Sequence, residues 1–261
     1  MCHIFDTHAH YDDSAFDEGR NALLNDLLLK NVRSIVNASV DIESSIKSIE
    51  LSNKYSYIYA AVGIHPQNIE NSNFKNNYLE ELENLIINKS KVVAIGEIGL
   101  DYYFNSENKA DQIKVFEEQI KLASKYNLPI LVHDREAHGD TLEILKKYKP
   151  KGVVHCFSGS LEMAREVTKL GMYIGIGGVV TFKNAKTILE VVREIPIENI
   201  VLETDAPYLA PVPFRGKRCD SSYIKYVAEK ISEIKSMDVK EVYEQTFKNA
   251  MNLFKISKIE V

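Results

Sequence analysis

No apolar run in this chain reaches the roughly 18 residues of a membrane span, and its start lacks the basic region and apolar stretch of a secretory signal. A protein that neither crosses a membrane nor is exported is expected. Cysteine is scarce: Cys2, Cys156 and Cys219 are odd in number, far apart and never spaced as CxxC. That excludes a disulfide framework and predicts a reducing, cytoplasmic setting. Positive charge is in deficit, with 32 Lys and Arg against 37 Asp and Glu and a formal net charge of −5. A broad electrostatic grip on duplex nucleic acid is therefore not expected, although a local basic patch is compatible with this balance. Glycine is too sparse near the start for a dinucleotide-binding fingerprint, since residues 5–20 hold only Gly19. No coiled-coil or evident interface segment is present, so a monomer is expected.

What the chain does contain is a rhythm. Its 261 residues are 45% hydrophobic, enough for one large core, and a single domain over residues 1–261 is expected. Short β-branched runs alternate with segments of helical periodicity throughout. The strand candidates are HIF (3–5), RSIVNAS (33–39), YIYAAVG (57–63), VVAIGEIG (92–99), PILVH (129–133), GVVHCF (152–157), MYIGIGG (172–178) and NIVLETD (199–205). Apolar residues at helical spacing follow each of the first seven, and two further helical segments near 220–235 and 239–254 end the pattern. Eight strand–helix units require a parallel sheet. At this length they predict an α/β fold, a single (β/α)8 TIM barrel with an extra C-terminal helix.

The reactive residues fall at one end of these strands. His8 and His10 follow strand 1, His65 strand 3, Glu97 and Asp101 strand 4, His133 strand 5, His155 strand 6, and Glu203 and Asp205 strand 8. In a barrel the carboxyl ends of the strands converge on the face where active sites are built. His8 and His10 alternate along a strand and so share a side. Strands 1 and 8 meet when the barrel closes, which predicts one cluster of His8, His10 and Asp205. Strands 5 and 6 are neighbours, which predicts a second of His133 and His155. Glu97 on strand 4 has two oxygens and can bridge them. Six such ligands suit two divalent cations roughly 3.5–4 Å apart. Imidazole-rich ligation favours Zn²⁺ or Mn²⁺ over Mg²⁺ in intrinsic affinity, but availability can reverse that order and the ion stays open. By simple addition the site keeps a charge of about +2, which suits an anionic substrate or transition state.

The strings FDTHAH, VGIHP, AIGEIGLDYY, LVHDREA, VHCFSG, LETDAPYL, RGKR and KNAMNLF, in this order from residue 5 to residue 254, resemble the TatD family of metal-dependent deoxyribonucleases, within the amidohydrolase-like barrels. The resemblance implies that His8, His10, Glu97, His133, His155 and Asp205 are metal ligands, in agreement with the strand-order argument. It further implies hydrolysis of nucleic-acid phosphodiesters, often as a 3′-to-5′ exonuclease on single-stranded DNA, with RNA as an open variant. Some relatives resemble deacylases of D-aminoacyl-tRNA, and a small-molecule amidohydrolase is the other alternative. Amidohydrolases of this barrel type often bridge their metals with a carbamylated Lys, whereas strand 4 here ends in Glu97. Family members often carry Asn-Glu after the RGKR turn, where this chain has Cys219-Asp220.

Roles follow from position. Asp205 ends strand 8 beside the cluster and is the expected general base. Glu203, two residues earlier, is expected to orient a histidine or a water. His65 contacts substrate or protonates the leaving oxygen, or else is held structurally in its turn. Asp101 and Tyr102, read as loop residues, shape the pocket or serve structure. Arg215, Lys217 and Arg218 lie after strand 8, where barrels often bind phosphate, and are the expected phosphate contacts. Cys156 is expected to pack in the core, Asn249 to make a helix contact, and Asp6 to support the histidines from below or to serve as a structural carboxylate.

Overall fold

Parallel strands cannot be joined by tight turns, so each must be followed by a crossover, and the chain alternates accordingly. The structure, a computed structural model, describes residues 2–69, 77–87, 91–104 and 106–257. Its strands are β1 (Ile4–Ala9), β2 (Val32–Ala38), β3 (Ile58–Val62), β4 (Val92–Asp101), β5 (Ile130–Arg135), β6 (Gly152–Val154), β7 (Tyr173–Ile176) and β8 (Ile200–Leu202). The helices are α1 (Arg20–Leu29), α2 (Ile42–Lys54), α3 (Tyr78–Ile87), α4 (Lys109–Lys125), α5 (His138–Tyr148), α6 (Leu161–Lys169), α7 (Lys186–Glu194), α8 (Ile224–Lys235) and α9 (Val239–Phe254). The strands pair in sequence order from β1 to β8, and the expected (β/α)8 barrel is the fold found. No helix among the described residues is long and apolar enough to cross a membrane.

The seam between β1 and the end of β8 is short and lies at the site. Ala9 bridges Ala206. The His10 N–H donates to Ala206 O at 2.7 Å and the Asp205 N–H to His8 O at 2.9 Å. The backbone of the expected metal ligands thus closes the barrel.

One apolar cluster joins Phe5, Val36, Ala61, Leu131, Val153 and Val201, from six strands, with Ala250, Leu253 and Phe254 of α9. Side chains of so many strands can share one cluster only by facing the barrel axis, since outward ones meet the surrounding helices. Phe254 stacks on Phe5 at 5.6 Å between ring centroids, so α9 plugs the amino-terminal mouth and the carboxyl-terminal mouth stays open for chemistry.

The strand limits differ from the sequence reading in an informative way. β4 runs on to Asp101, which is therefore a strand residue and not a loop residue. β6 stops at Val154 and β8 at Leu202, short of the expected ends. Beyond them Cys156 and Asp205 have φ of 44° and 60°, a left-handed conformation that no strand continues through. The turn hydrogen bonds at Asp205 replace ladder bonds, so the reactive residues sit on the rim of the sheet.

Candidate metal centre

Glu97 is the hub of the rim. Its Oε2 lies 3.3 Å from His8 Nε2 and 3.7 Å from His10 Nε2. Its Oε1 lies 2.8 Å from His133 Nδ1, 3.1 Å from His155 Nε2 and 3.5 Å from His65 Nε2. One carboxylate oxygen therefore serves each half of the cluster. Asp205 Oδ1 stands 3.3 Å from His10 Nε2 and 3.9 Å from His8 Nε2. The halves are less separate than strand order predicts. The His155 ring stacks on His8 at 3.8 Å, and His8, His155 and Asp205 form a group whose ligand atoms converge. The pairing of β1 with β2 slips between Asp6 and Ala9, and that of β4 with β5 slips between Ile95 and Ile98. Both irregularities span expected ligands, His8 and Glu97, where a shift in register re-aims side chains.

Hydrogen bonds fix what two of the imidazoles present. His10 Nδ1 is 2.9 Å from the Ala38 carbonyl oxygen. A carbonyl only accepts, so Nδ1 carries the proton and Nε2 offers its lone pair to the site. His65 is the reverse. Its Nδ1 accepts the Gln67 N–H at 3.2 Å, so a neutral ring has its proton on Nε2, facing Glu97. His65 is thus set as a hydrogen-bond donor rather than a ligand.

The donor set fits divalent cations. His10 Nε2 and His8 Nε2 lie 3.2 Å apart with carboxylate oxygens on either side. His155 Nε2 likewise turns to Glu97 Oε1, so the imidazole nitrogens that face the carboxylates could all be donors, while among the described residues His8 Nδ1, His155 Nδ1 and Glu203 Oε2 are buried behind them without a hydrogen-bond partner. The charge balance reads the same way. Burial opposes ionisation of Glu97, but His155, His65 and His8 hold it well below the usual carboxylate range. Burial likewise opposes charge on His10, yet the hydrogen bond its ring donates to Asp205 pushes it up to about 9. His155 is driven upward by Glu97 and Glu203 against burial, while burial and the facing His155 lower His8.

A supporting layer lies beneath. Glu203 is 1% exposed; its Oε1 accepts the Cys156 N–H at 2.5 Å and stands 3.4 Å from His155 Nδ1. Gly175 makes room for it, because a methyl group there would overlap Glu203 Oε2. Asp101 Oδ2 faces His133 Nε2 at 3.0 Å and accepts from Gln67 Nε2 at 2.7 Å. Burial opposes ionisation of Asp101, but these bonds hold its carboxyl below the ordinary range. Asp6 accepts from Thr204 Oγ1 and Ser221 Oγ, both at 2.6 Å, and from the backbone of Thr204 and His8. It ties β1 to the end of β8 below the ligands. Burial pushes its carboxyl up to about 7 against those bonds. Burial also raises Cys156 to about 12, so its thiol stays protonated.

The centre opens into a cavity of about 590 Å³ lined by residues of the rim. The expected phosphate contacts are not among its lining residues. Arg218 donates to Ala15 O at 2.7 Å, and Arg215 lies over the Phe182 ring at 4.4 Å; Lys217 sits by Phe214 at 5.7 Å. The cation that does line the cavity among the described residues is Arg135. It follows His133 by two in the LVHDREA string, a spacing that keeps the same strand side and was the available signal for it.

The likeness to known proteins agrees with this geometry. The family described as TatD-related DNases matches residues 5–255. The metal-dependent hydrolase YabD of Bacillus subtilis is 42% identical over 257 residues, covering 97% of this chain and 100% of YabD. The metal-dependent hydrolase YcfH of Escherichia coli is 34% identical over 260 residues, covering 97% and 96%. The crystal structure of YjjV, a TatD homologue from Escherichia coli, superposes with a TM-score of 0.92 at 31% identity, covering 98% of this chain and 99% of YjjV. With the fold, the rim of histidines and carboxylates and these relatives in agreement, the chain belongs to the TatD family of metal-dependent hydrolases.

Proposed function

We propose that this hydrolase cleaves phosphodiester bonds at the 3′ end of single-stranded DNA or RNA, with two divalent cations held by His8, His10, Glu97, His133, His155 and Asp205. The observation that carries the two-cation reading is the Glu97 carboxylate, with Oε2 toward His8 and His10 and Oε1 toward His133 and His155. The family description as DNases supports the nucleic-acid substrate. Divalent cations at this position supply Lewis acidity and a nucleophile from water at neutral pH.

The chain's own residues do the rest. Asp205 directs Oδ1 to the histidines, and Oδ2 takes the proton of the attacking water. His65 donates through Nε2–H to a phosphate or leaving oxygen. Glu203 and Asp101 fix the rings of His155 and His133 so that the donors need no reorganisation during the reaction. Arg135 at the mouth holds an adjoining phosphate.

Asp12 and Asp13 also line the cavity. They favour a second reading, a deacylase that holds the free ammonium of an aminoacyl ester of tRNA. The test incubates metal-stripped protein, with Mg²⁺, Mn²⁺ or Zn²⁺ restored singly, with 5′-labelled single- and double-stranded DNA and RNA and with aminoacyl-tRNA. A ladder shortening from the 3′ end of single strands is the expected result. Release of the amino acid with intact strands under every metal would replace it with the second reading.

A further inference from the structure

Among the described residues only three phenylalanine or tyrosine rings are exposed: Tyr103 and Phe104, each at 63%, and Tyr208 at 53%. All three lie on the loops that leave the carboxyl ends of β4 and β8. Phe104 and Tyr208 line the catalytic cavity. β4 and β8 are four places apart in an eight-stranded ring, so these rings approach the centre from opposite sides.

The backbone that carries each ring is tied to the site. Asp101 Oδ1 accepts the N–H groups of Tyr103 and Phe104 at 3.1 and 3.0 Å, while its other oxygen faces His133. Across the mouth, the Tyr208 N–H donates to Asp205 O at 2.8 Å, and the Tyr208 hydroxyl donates to Asp13 Oδ2 at 2.7 Å. The Tyr208 ring lies 6.4 Å from that of His10. The Arg135 guanidinium stacks over Tyr103 at 4.0 Å and lies 5.5 Å from the Phe104 ring. Each platform is therefore registered to an expected metal ligand by hydrogen bonds, and a cation stands beside one of them.

Exposed aromatic faces next to an arginine are the chemistry that holds unpaired nucleobases, since every base offers a flat face to stack on. In a duplex those faces are covered by neighbouring bases. We propose that Phe104 and Tyr208 form a two-sided stacking clamp that grips the bases flanking the scissile phosphate of a single strand, with Arg135 on the neighbouring phosphate. The inference rests on the nucleic-acid reading above and assigns it specificity-determining residues.

The test uses the full chain in EDTA and a six-nucleotide DNA strand ending in 2-aminopurine, whose fluorescence falls when the base stacks, beside the same strand with an abasic 3′ end. Quenching is expected, with the abasic strand binding roughly tenfold or more weakly. Phe104→Ala and Tyr208→Ala each weaken binding by a similar factor, and Phe104→Trp restores it. Losing a flanking base adds little to the variant that has lost its platform, because the two changes remove one interaction. Equal binding of intact and abasic strands by the wild type, or full quenching in both alanine variants, overturns the clamp. The two readings fail separately. Stacking with no strand cleaved under any metal sinks the phosphodiesterase and leaves the clamp. Cleavage that is indifferent to abasic ends sinks the clamp and leaves the phosphodiesterase.

Discussion

Asp205 is asked to do two things, and a single atom separates them. Its Oδ1 faces His8 and His10, a ligand's position that an amide oxygen can also take. Only a carboxylate can receive a proton there. Asp205→Asn is therefore expected to lower kcat by about 10²–10⁴-fold while metal content, measured by elemental analysis, stays near that of the wild type. An unchanged kcat would remove Asp205 as the base. Gly175 touches no substrate, yet a methyl group on it would strike Glu203 Oε2 and push that carboxylate off the Cys156 N–H and the His155 ring. Gly175→Ala is expected to destabilise the protein by about 1–3 kcal/mol and to weaken metal binding about 10–100-fold. Urea unfolding and a competitive metal titration measure the two effects. That the reactive histidines and carboxylates meet was legible because their spacing at strand ends leaves the barrel no other place to put them. The second nitrogen of each imidazole was not legible. The Ala38 carbonyl that fixes His10 and the Gln67 N–H that fixes His65 belong to backbone whose exact path the hydrophobic pattern does not specify.

The elements divide by how locally they are determined. Helix and strand order followed from periodicity, because each amphipathic segment has only one face to bury. The ends of β6 and β8 did not, since long-range bonds at Cys156 and Asp205 override the β-branched runs that lead into them. Long side chains on loops were the least legible of all. Arg215, Lys217 and Arg218 were read as phosphate contacts from their place after strand 8, but a flexible stem goes where its best partner lies, here Phe182, Phe214 and Ala15 O. Arg135, on the last residue of a strand, had far less freedom. Asn249 shows an element-scale consequence. Its Nδ2 donates to Ile197 O at 2.8 Å and Ile200 O at 2.7 Å, pinning α9 to the entry of β8. Asn249→Ala removes both bonds in a 2% exposed position and leaves Ile197 O only the Ile200 N–H, at a cost of about 1–3 kcal/mol. At about 2–4 °C per kcal/mol for a chain of this size, Tm is expected to fall by several degrees in a thermal melt. An unaltered Tm would mean that α9 is held by its Phe5 contacts alone.

At the scale of the whole molecule, the proposed metal centre doubles as the clasp of the barrel, because His8, His10 and Asp205 supply the backbone bonds between β1 and the end of β8. Cation binding and global stability are therefore linked, and the link has a sign that depends on pH. His10 is pushed up to about 9 by Asp205, against burial, and His155 is raised by Glu97 and Glu203. A group whose pKa is raised by folding gives stability that is complete below its unfolded value, about 6.5 for imidazole, and is lost as pH rises through the folded value. In excess chelator, the contribution of these two rings should therefore decline from pH 6.5 toward pH 9. A cation needs the same nitrogens free of protons, so its contribution runs the other way and grows over that range. At a hundredfold excess over Kd the bound ion stabilises by about 2.7 kcal/mol, roughly 5–10 °C in Tm. Melts with Mn²⁺ or Zn²⁺ and with EDTA, from pH 6 to pH 9, should give two curves that diverge as pH rises. Curves that stay parallel would show that the titrating histidines and the cation do not share ligands, and the six-residue centre would have to be redrawn.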